Sequence, residues 1–222
     1  YVYNTAKITA TGNYAGGITG YIRNGTIEYV FNIGEITGAQ YTAGLVGYSY
    51  GIGTSRYNTI RFGYNAGTVA GSGNVGGVLG SYDGSGNTRN NLYYDLASIA
   101  DYLQPSGKIK PIRAVGTTGD SGNGKGLDRG IMLKDMTGHG FNIDIWEFKP
   151  VSGDYAYYPQ LRKFSQNANQ DIVNASAESV KIFVGDGLGT PSFPFKLRNK
   201  QDLEDLKVKI NSGNTFQGFH FI

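Results

Sequence analysis

No cysteine occurs in the 222 residues, which removes a disulfide framework, a thiolate zinc site and a cysteine nucleophile together. Histidine is nearly as scarce. His139 and His220 are the two in the chain and stand far apart, so no paired-imidazole metal set can be written from them. A serine triad would have to borrow one of them, and neither has a nucleophile-elbow context. Proline numbers six and glycine follows no three-residue period, which excludes collagen. No apolar run approaches the roughly eighteen residues of a membrane-spanning helix, and the opening YVYNTAK is not a signal peptide. Lys and Arg number 20 against 17 Asp and Glu, a net charge of +3 spread along the chain, too weak to point to nucleic acid. Hydrophobic residues at 39% are too many for a disordered tail.

What is abundant is glycine, with 35 residues, and tyrosine, with 17. Residues 1–95 hold 20 of the glycines and 13 of the tyrosines, and composition this uneven calls for a search for repeats. GGITGY at 16–21 returns as AGLVGY at 43–48 and GGVLGS at 76–81. A second block precedes each: YNTAKITA from Tyr3, FNIGEITG from Phe31 and YNAGTVAG from Tyr64. The second block advances by 28 and then 33 residues and the first by 27 and 33, so both halves of the unit move together. The additional residues of the longer step fall within 48–63, read as an insertion at one corner.

Inside a unit, β-branched and aromatic runs such as IEYVFN (27–32) and KITA (7–10) are too short for helices and suit strands. A unit of this size cannot bury its own apolar face, whereas stacked units share a core. The spacing places Ile18, Leu45 and Val78 in one column, Ile8, Ile36 and Val69 in a second, and Tyr3, Phe31 and Tyr64 in an aromatic third. The expected fold is all-β: a right-handed parallel β-solenoid, or β-helix, over 1–95, with a mixed capping region over 96–163 and one short helix near the C-terminus. The cap would cover the last open turn with Trp146, Phe148, Tyr155, Tyr157, Tyr158 and Phe164. Trp146 reads as core, with a sugar-stacking role as the alternative.

The alternation of G-G-[IVL]-[VTL]-G-[YS] with [YF]-N-x-[GA]-x-[IV] resembles the GLUG repeats of bacterial surface proteins. Tyr93-Tyr94-Asp95, Ala114-Val115-Gly116, Met132, Met136, Phe141, Trp146 and Tyr158-Pro159-Gln160-Leu161 follow in the order in which such arrays close. Residues 96–130 depart from the pattern. The resemblance implies a secreted or wall-anchored bacterial location and a scaffolding or adhesive role, for repeats of this kind occur in adhesin-like chains and in some immunoglobulin A proteases.

Residues 164–222 read as a connector and the entry to a following domain. Asn199 as N-cap, Leu203, Leu206 and Ile210 at helical spacing, and the stop Asn211-Ser212-Gly213 predict a helix over about 200–210. The chain opens inside a repeat and closes where an array would start, which suggests a fragment, or ragged ends that pair copies end to end as a filament by strand addition.

Two glycine motifs match nucleotide sites in letters alone. GSGNVG (71–76) is followed by GVLGSYDG, which cannot supply the helix that a dinucleotide needs. GDSGNGKG (119–126) lacks the hydroxyl of a phosphate loop. Neither implies a cofactor. Calcium would find its oxygen ligands at Asp83, Asp120 or Asp186 in glycine-rich turns, although turn formation alone explains those residues. A polysaccharide hydrolase or lyase would draw on Asp83, Asp95 and Asp101. The loops at 48–63 and 82–130 are the expected contact surfaces. Tyr48, Tyr50, Arg56, Tyr57 and Arg61 form the candidate patch for a host or neighbouring-cell protein or glycan. The expected function is therefore structural and adhesive, without a reaction; a carbohydrate-active β-helix and a non-catalytic segment of a secreted protease are the alternatives.

Overall fold

A computed structural model describes residues 1–51, 53, 57–96, 102–103, 109–110, 113–117, 124–127, 129–133, 136–148, 158–165, 197 and 200–211. Four short strands make the first turn: β1 (Val2–Asn4), β2 (Ile8–Thr9), β3 (Tyr14–Gly16) and β4 (Thr19–Arg23). The second turn repeats them as β5 (Thr26–Asn32), β6 (Ile36–Gly38), β7 (Tyr41–Ala43) and β8 (Val46–Tyr50). The third is β9 (Asn58–Asn65), β10 (Val69–Gly71) and the longer β11 (Asn74–Asp83). β12 (Asn87–Asp95) starts a fourth. A two-stranded antiparallel pair follows, β13 (Tyr102–Leu103) and β14 (Ile109–Lys110), then β15 (Arg113–Val115) and β16 (Gly124–Leu127).

Corresponding strands pair in parallel to build three sheets. One runs β1-β5-β9-β12-β16 and one β2-β6-β10; the third joins β3 and β4 through β7 and β8 to β11, which β15 also pairs. The molecule is a β-solenoid, and its columns are those the repeat spacing predicts. Ile8, Ile36 and Val69 are paired. Ile18 donates its backbone N–H to the Leu45 carbonyl at 2.9 Å, and Leu45 to that of Val78 at 3.2 Å. Tyr3, Phe31 and Tyr64 are paired, and Tyr93 continues the column. Side chains alternate across the first sheet: Val30, Ile60 and Leu92 enter the interior with Ile36, Leu45, Val46, Val78 and Leu79, whereas Phe31, Tyr64 and Tyr93 face outward.

The two sequence blocks move together because they touch. Asn4, Asn32 and Asn65 form an amide ladder: Asn4 Nδ2 donates to Asn32 Oδ1 at 2.8 Å, and Asn32 Nδ2 to Asn65 Oδ1 at 2.7 Å. Each amide also closes its own turn. Nδ2 donates to the carbonyl two residues on (Ala6, Gly34 and Gly67), whose N–H returns a bond to Oδ1 at 3.2 Å. This is the side-chain mimicry of a backbone turn for which asparagine is suited. The glycine block leaves the room it needs. A Cβ on Gly17 would lie 2.6 Å from Asn32 Cγ, and one on Gly44 would overlap the amide of Asn65. At the fourth turn Tyr94 takes the asparagine position, paired with Asn65, and its ring fills the space beside Gly77. Replacing Asn32 by alanine leaves the Gly34 backbone groups and one donor of Asn4 without partners, so a loss of about 2 kcal/mol is expected. Asn4→Ala, at a more exposed turn, should cost about half as much. Urea denaturation of the two variants measures the gradient, and equal losses would contradict it.

A second repeated feature is a column of left-handed residues, Tyr29 (φ 55°), Phe62 (φ 54°) and Asn91 (φ 53°). A non-glycine residue there costs about 1–2 kcal/mol. Ring stacking offsets part of it, for Tyr1, Tyr29 and Phe62 stack with centroids 5.2 Å apart.

The segment expected to cap the last turn does two things. β16 extends the first sheet beside β12, and β15 extends the third beside β11. The aromatic part lies along the outer flank of the first sheet, because Phe31, Tyr64 and Tyr93 present an apolar stripe there. It contains α1 (Arg129–Met132), a 3₁₀ turn at Thr137–His139, an antiparallel pair of β17 (Trp146–Glu147) with β18 (Gln160–Leu161), and α2 (Arg162–Ser165). Phe141 meets Tyr93 and Tyr64, Trp146 meets Tyr64 and Phe31, and Phe164 packs edge-on against Tyr3 at 5.1 Å. The chain thus retraces the stack from its fourth turn to its first. Trp146, Phe141 and Tyr158 are fully buried in this cluster, with Phe148 and Phe164 at its margin. Tyr155 and Tyr157 lie outside the described residues, as do residues 166–196 of the connector and entry segment expected over 164–222. The helix expected over 200–210 is α3 (Lys200–Asn211). Leu203, assigned to its apolar face, is 56% exposed, and Asn199 lies outside the described residues.

Of the loop expected at 48–63, residues 48–50 and 58–63 belong to strands. Tyr48 and Tyr50 belong to β8 and Arg61 to β9, in register with the turns on either side. The 82–130 region likewise contains β12, a full strand of the fourth turn.

Candidate functional site

The outer side of the third sheet carries a group of tyrosines. Register sets Tyr14 beside Tyr41 and Tyr21 beside Tyr48, so two columns of two rings stand next to each other. Their centroids are 5.6 Å apart in the first column and 5.8 Å in the second, with planes inclined by 16° and 8°. The columns also touch: Tyr14 meets Tyr21 at 5.4 Å and Tyr48 at 5.3 Å, and Tyr41 meets Tyr48 edge-on at 5.1 Å. Tyr14 and Tyr21 are 41% and 42% exposed; Tyr41 and Tyr48 are half-buried. On the third turn the columns change to Asn74 and the buried Ser81, whose hydroxyl bonds that of Thr117 at 3.3 Å.

Two residues along the strands lies a second row, Arg23, Tyr50 and Asp83, again in register. The Arg23 guanidinium sits over the Tyr50 ring at 5.6 Å. Asp83 is exposed at the end of β11, and its Oδ1 accepts the Gly84 N–H at 2.7 Å. Burial raises the Tyr48 phenol above its ordinary value; the Asp83 carboxylate and the neighbouring rings add to this. The phenol therefore stays protonated and can donate.

Of the five residues assigned to the candidate patch, Tyr48 and Tyr50 share this face. Arg61 is engaged elsewhere: its Nε donates to Glu28 Oε1 on the first sheet, and its guanidinium lies 5.4 Å from the Phe62 ring. Tyr57 is 52% exposed just before β9, and Arg56 lies outside the described residues. Tyr14, Tyr21 and Tyr41 were not in the assignment, although their columns repeat in the sequence as the tyrosines flanking GG and AG.

Two of the three carboxylates expected for a hydrolase or lyase, Asp83 and Asp95, do not converge. Asp95 is fully buried and accepts the Tyr158 hydroxyl, whereas Asp83 is exposed, so the two do not line one groove. Asp101, Asp120 and Asp186 lie outside the described residues. Among the described residues, no three of His, Cys, Asp or Glu are grouped so as to hold a metal ion. Trp146 is fully buried, which removes it as a sugar platform.

No protein-family model and no curated protein matches the chain. Among solved structures it is similar to the crystal structure of a putative immunoglobulin A1 protease from Bacteroides ovatus, at 19% identity and a TM-score of 0.49, over 69% of this chain and 54% of that one. The chain spans about half of that protein's length. No helix among the described residues is long and apolar enough to cross a membrane.

The flank has its own electrostatic signature. Burial pushes the Tyr64 phenol well above the usual tyrosine range, with Tyr158 adding to the shift, and its hydroxyl donates to the Pro159 carbonyl at 2.6 Å. Burial also raises Tyr93. An unfolded chain ionises these groups near pH 10, and the folded chain only above it. The folded state then holds more protons, so this contribution is fully present below about pH 10 and is lost as pH rises through the folded values. Urea midpoints should fall above about pH 10, and less steeply in Tyr64→Phe. An equally steep fall in that variant would assign the effect to other groups.

Proposed function

We propose that this chain is a structural and adhesive segment of a bacterial cell-surface or extracellular protein, of the kind the GLUG-like repeats imply, and that it carries out no reaction. The observation that supports this reading best is the half-exposed tyrosine face, held on a solenoid whose turns are locked by the amide ladder and whose first-sheet flank is buried. Such a surface is pre-organised, so little conformational entropy is lost when a partner binds. The side chains available on it bind and orient; none is arranged as a nucleophile with a base. Beads coated with the chain should be retained on epithelial cells or mucin under flow above the level of albumin-coated beads. Retention no better than albumin at every coating density would overturn the reading.

A further inference from the structure

We infer that the tyrosine face of the third sheet binds a neutral oligosaccharide built of pyranose rings, laid across the first two turns of the solenoid. The inference rests on the adhesive reading and names its ligand class.

The chemistry of the face is two-sided in the way that a sugar is two-sided. A pyranose shows a patch of C–H bonds on its ring face and hydroxyls around its edge. Tyrosine offers an aromatic surface for the first and a hydroxyl that both donates and accepts for the second. Tyr14, Tyr21, Tyr41 and Tyr48 supply four rings within 5.1 to 5.8 Å of their neighbours. Arg23 and Asp83 stand at the rim, on either side of Tyr50 in the register. A guanidinium donates in a planar fork and a carboxylate accepts at two oxygens, and sugar hydroxyls use both.

Charge and shape narrow the choice. The rim carries one cation and one anion, Arg23 and Asp83, which do not make a cationic site for a sulfated, sialylated or phosphorylated ligand; Arg113, on β15, lies beyond the third turn. No large aliphatic side chain is exposed there: the exposed ones among the described residues are Val2, Ile131, Ile143 and Leu203. A protein partner binding through apolar anchors would need such groups or a desolvated pocket to receive its own. Rings on successive turns stand 5.6 and 5.8 Å apart, so the aromatic surface has the length of a short oligosaccharide and ends where Asn74 and Ser81 replace the rings.

The test uses the whole chain on an array of neutral hexose and N-acetylhexosamine oligosaccharides, followed by calorimetry with any that bind. At least one is expected to bind. Tyr14→Ala with Tyr21→Ala should weaken it about tenfold or more, as loss of anchoring aromatics does. The corresponding phenylalanine pair should retain most of the affinity, and Arg23→Ala with Asp83→Ala should lose several-fold through the rim hydrogen bonds. Arg61→Ala, on the first sheet, should change nothing. If the alanine pair melts early, the phenylalanine and rim variants still decide the matter. Absence of any bound oligosaccharide, binding confined to anionic glycans, or binding indifferent to every tyrosine and rim variant would each overturn the proposal. So would tyrosine-dependent binding of a purified mucin stripped of its glycans, which would leave the adhesive reading standing. Failure of the bead assay removes the adhesive reading itself, so the two failures are distinct.

Discussion

Replacing Gly44 by alanine is expected to disrupt the solenoid at its middle turn. The added methyl would overlap the side-chain amide of Asn65 and the carbonyl of Gly77. Neither can yield. The carbonyl belongs to the next turn's backbone, and the amide is bound both to Asn32 and to Gly67. Overpacking a fitted interior costs about 1–3 kcal/mol and sometimes more, and here the clash also breaks buried hydrogen bonds, so about 3 kcal/mol or more is expected. Gly12→Ala is the matched control, since a Cβ there meets nothing within 4 Å. Urea and thermal unfolding of the two variants make the measurement. A Gly44→Ala midpoint within error of the control would mean that the amide ladder does not occupy this space.

The second large effect lies on the flank. Trp146 is the single tryptophan of the chain, fully buried between Phe141, at 4.7 Å, and the rings of Tyr64 and Phe31. Truncation to alanine removes the centre of that cluster and should cost about 4 kcal/mol. Loss of the flank should precede loss of the stack, because the interior columns have their own core. Two transitions are therefore expected in Trp146→Ala: early proteolytic cleavage within 129–165, mapped by mass spectrometry, and later loss of β-sheet signal. Trp146→Phe should be far milder. Among the described residues the buried indole N–H has no hydrogen-bond partner, so the exchange keeps an aromatic and removes a donor unsatisfied among them. A single transition in Trp146→Ala would show that flank and stack fold as one unit.

The stack was legible in the sequence because its period is written twice, once in the asparagine block and once in the glycine block. Tyr3, Phe31 and Tyr64 had to fall into one column if both blocks kept their spacing, and they do. The fourth turn was harder to read. Tyr94 replaces asparagine and β12 lacks the glycine block that would follow, so Tyr93 gave no sign of extending the ladder. The position of the flank was illegible for another reason. Trp146 and Phe141 announce burial but not against what, and the outward aromatic column that receives them is visible only once the alternation along β5, β9 and β12 is known. The tyrosine face was half legible: Tyr48 and Tyr50 stood out in an unusual run, whereas Tyr14 and Tyr41 precede the glycine block in a position that reads as ordinary strand. Arg61 looked available by type, and its pairing with Glu28 depends on a register between turns that composition cannot show.

The path of the flank has a mechanical consequence. Because it returns to the first turn, residue 1 and residue 164 end up side by side: Lys163 Nζ lies 5.4 Å from the Tyr1 ring, and Phe164 rests on Tyr3. A tensile load applied through the backbone at these two points crosses that contact directly and leaves turns two to four out of the force path. Once the contact opens, the flank is drawn away one ring at a time, from Phe164 through Trp146 to Phe141, rather than sheared all at once. Under pulsed tension the chain would lengthen by peeling while the tyrosine face of the third sheet kept its shape.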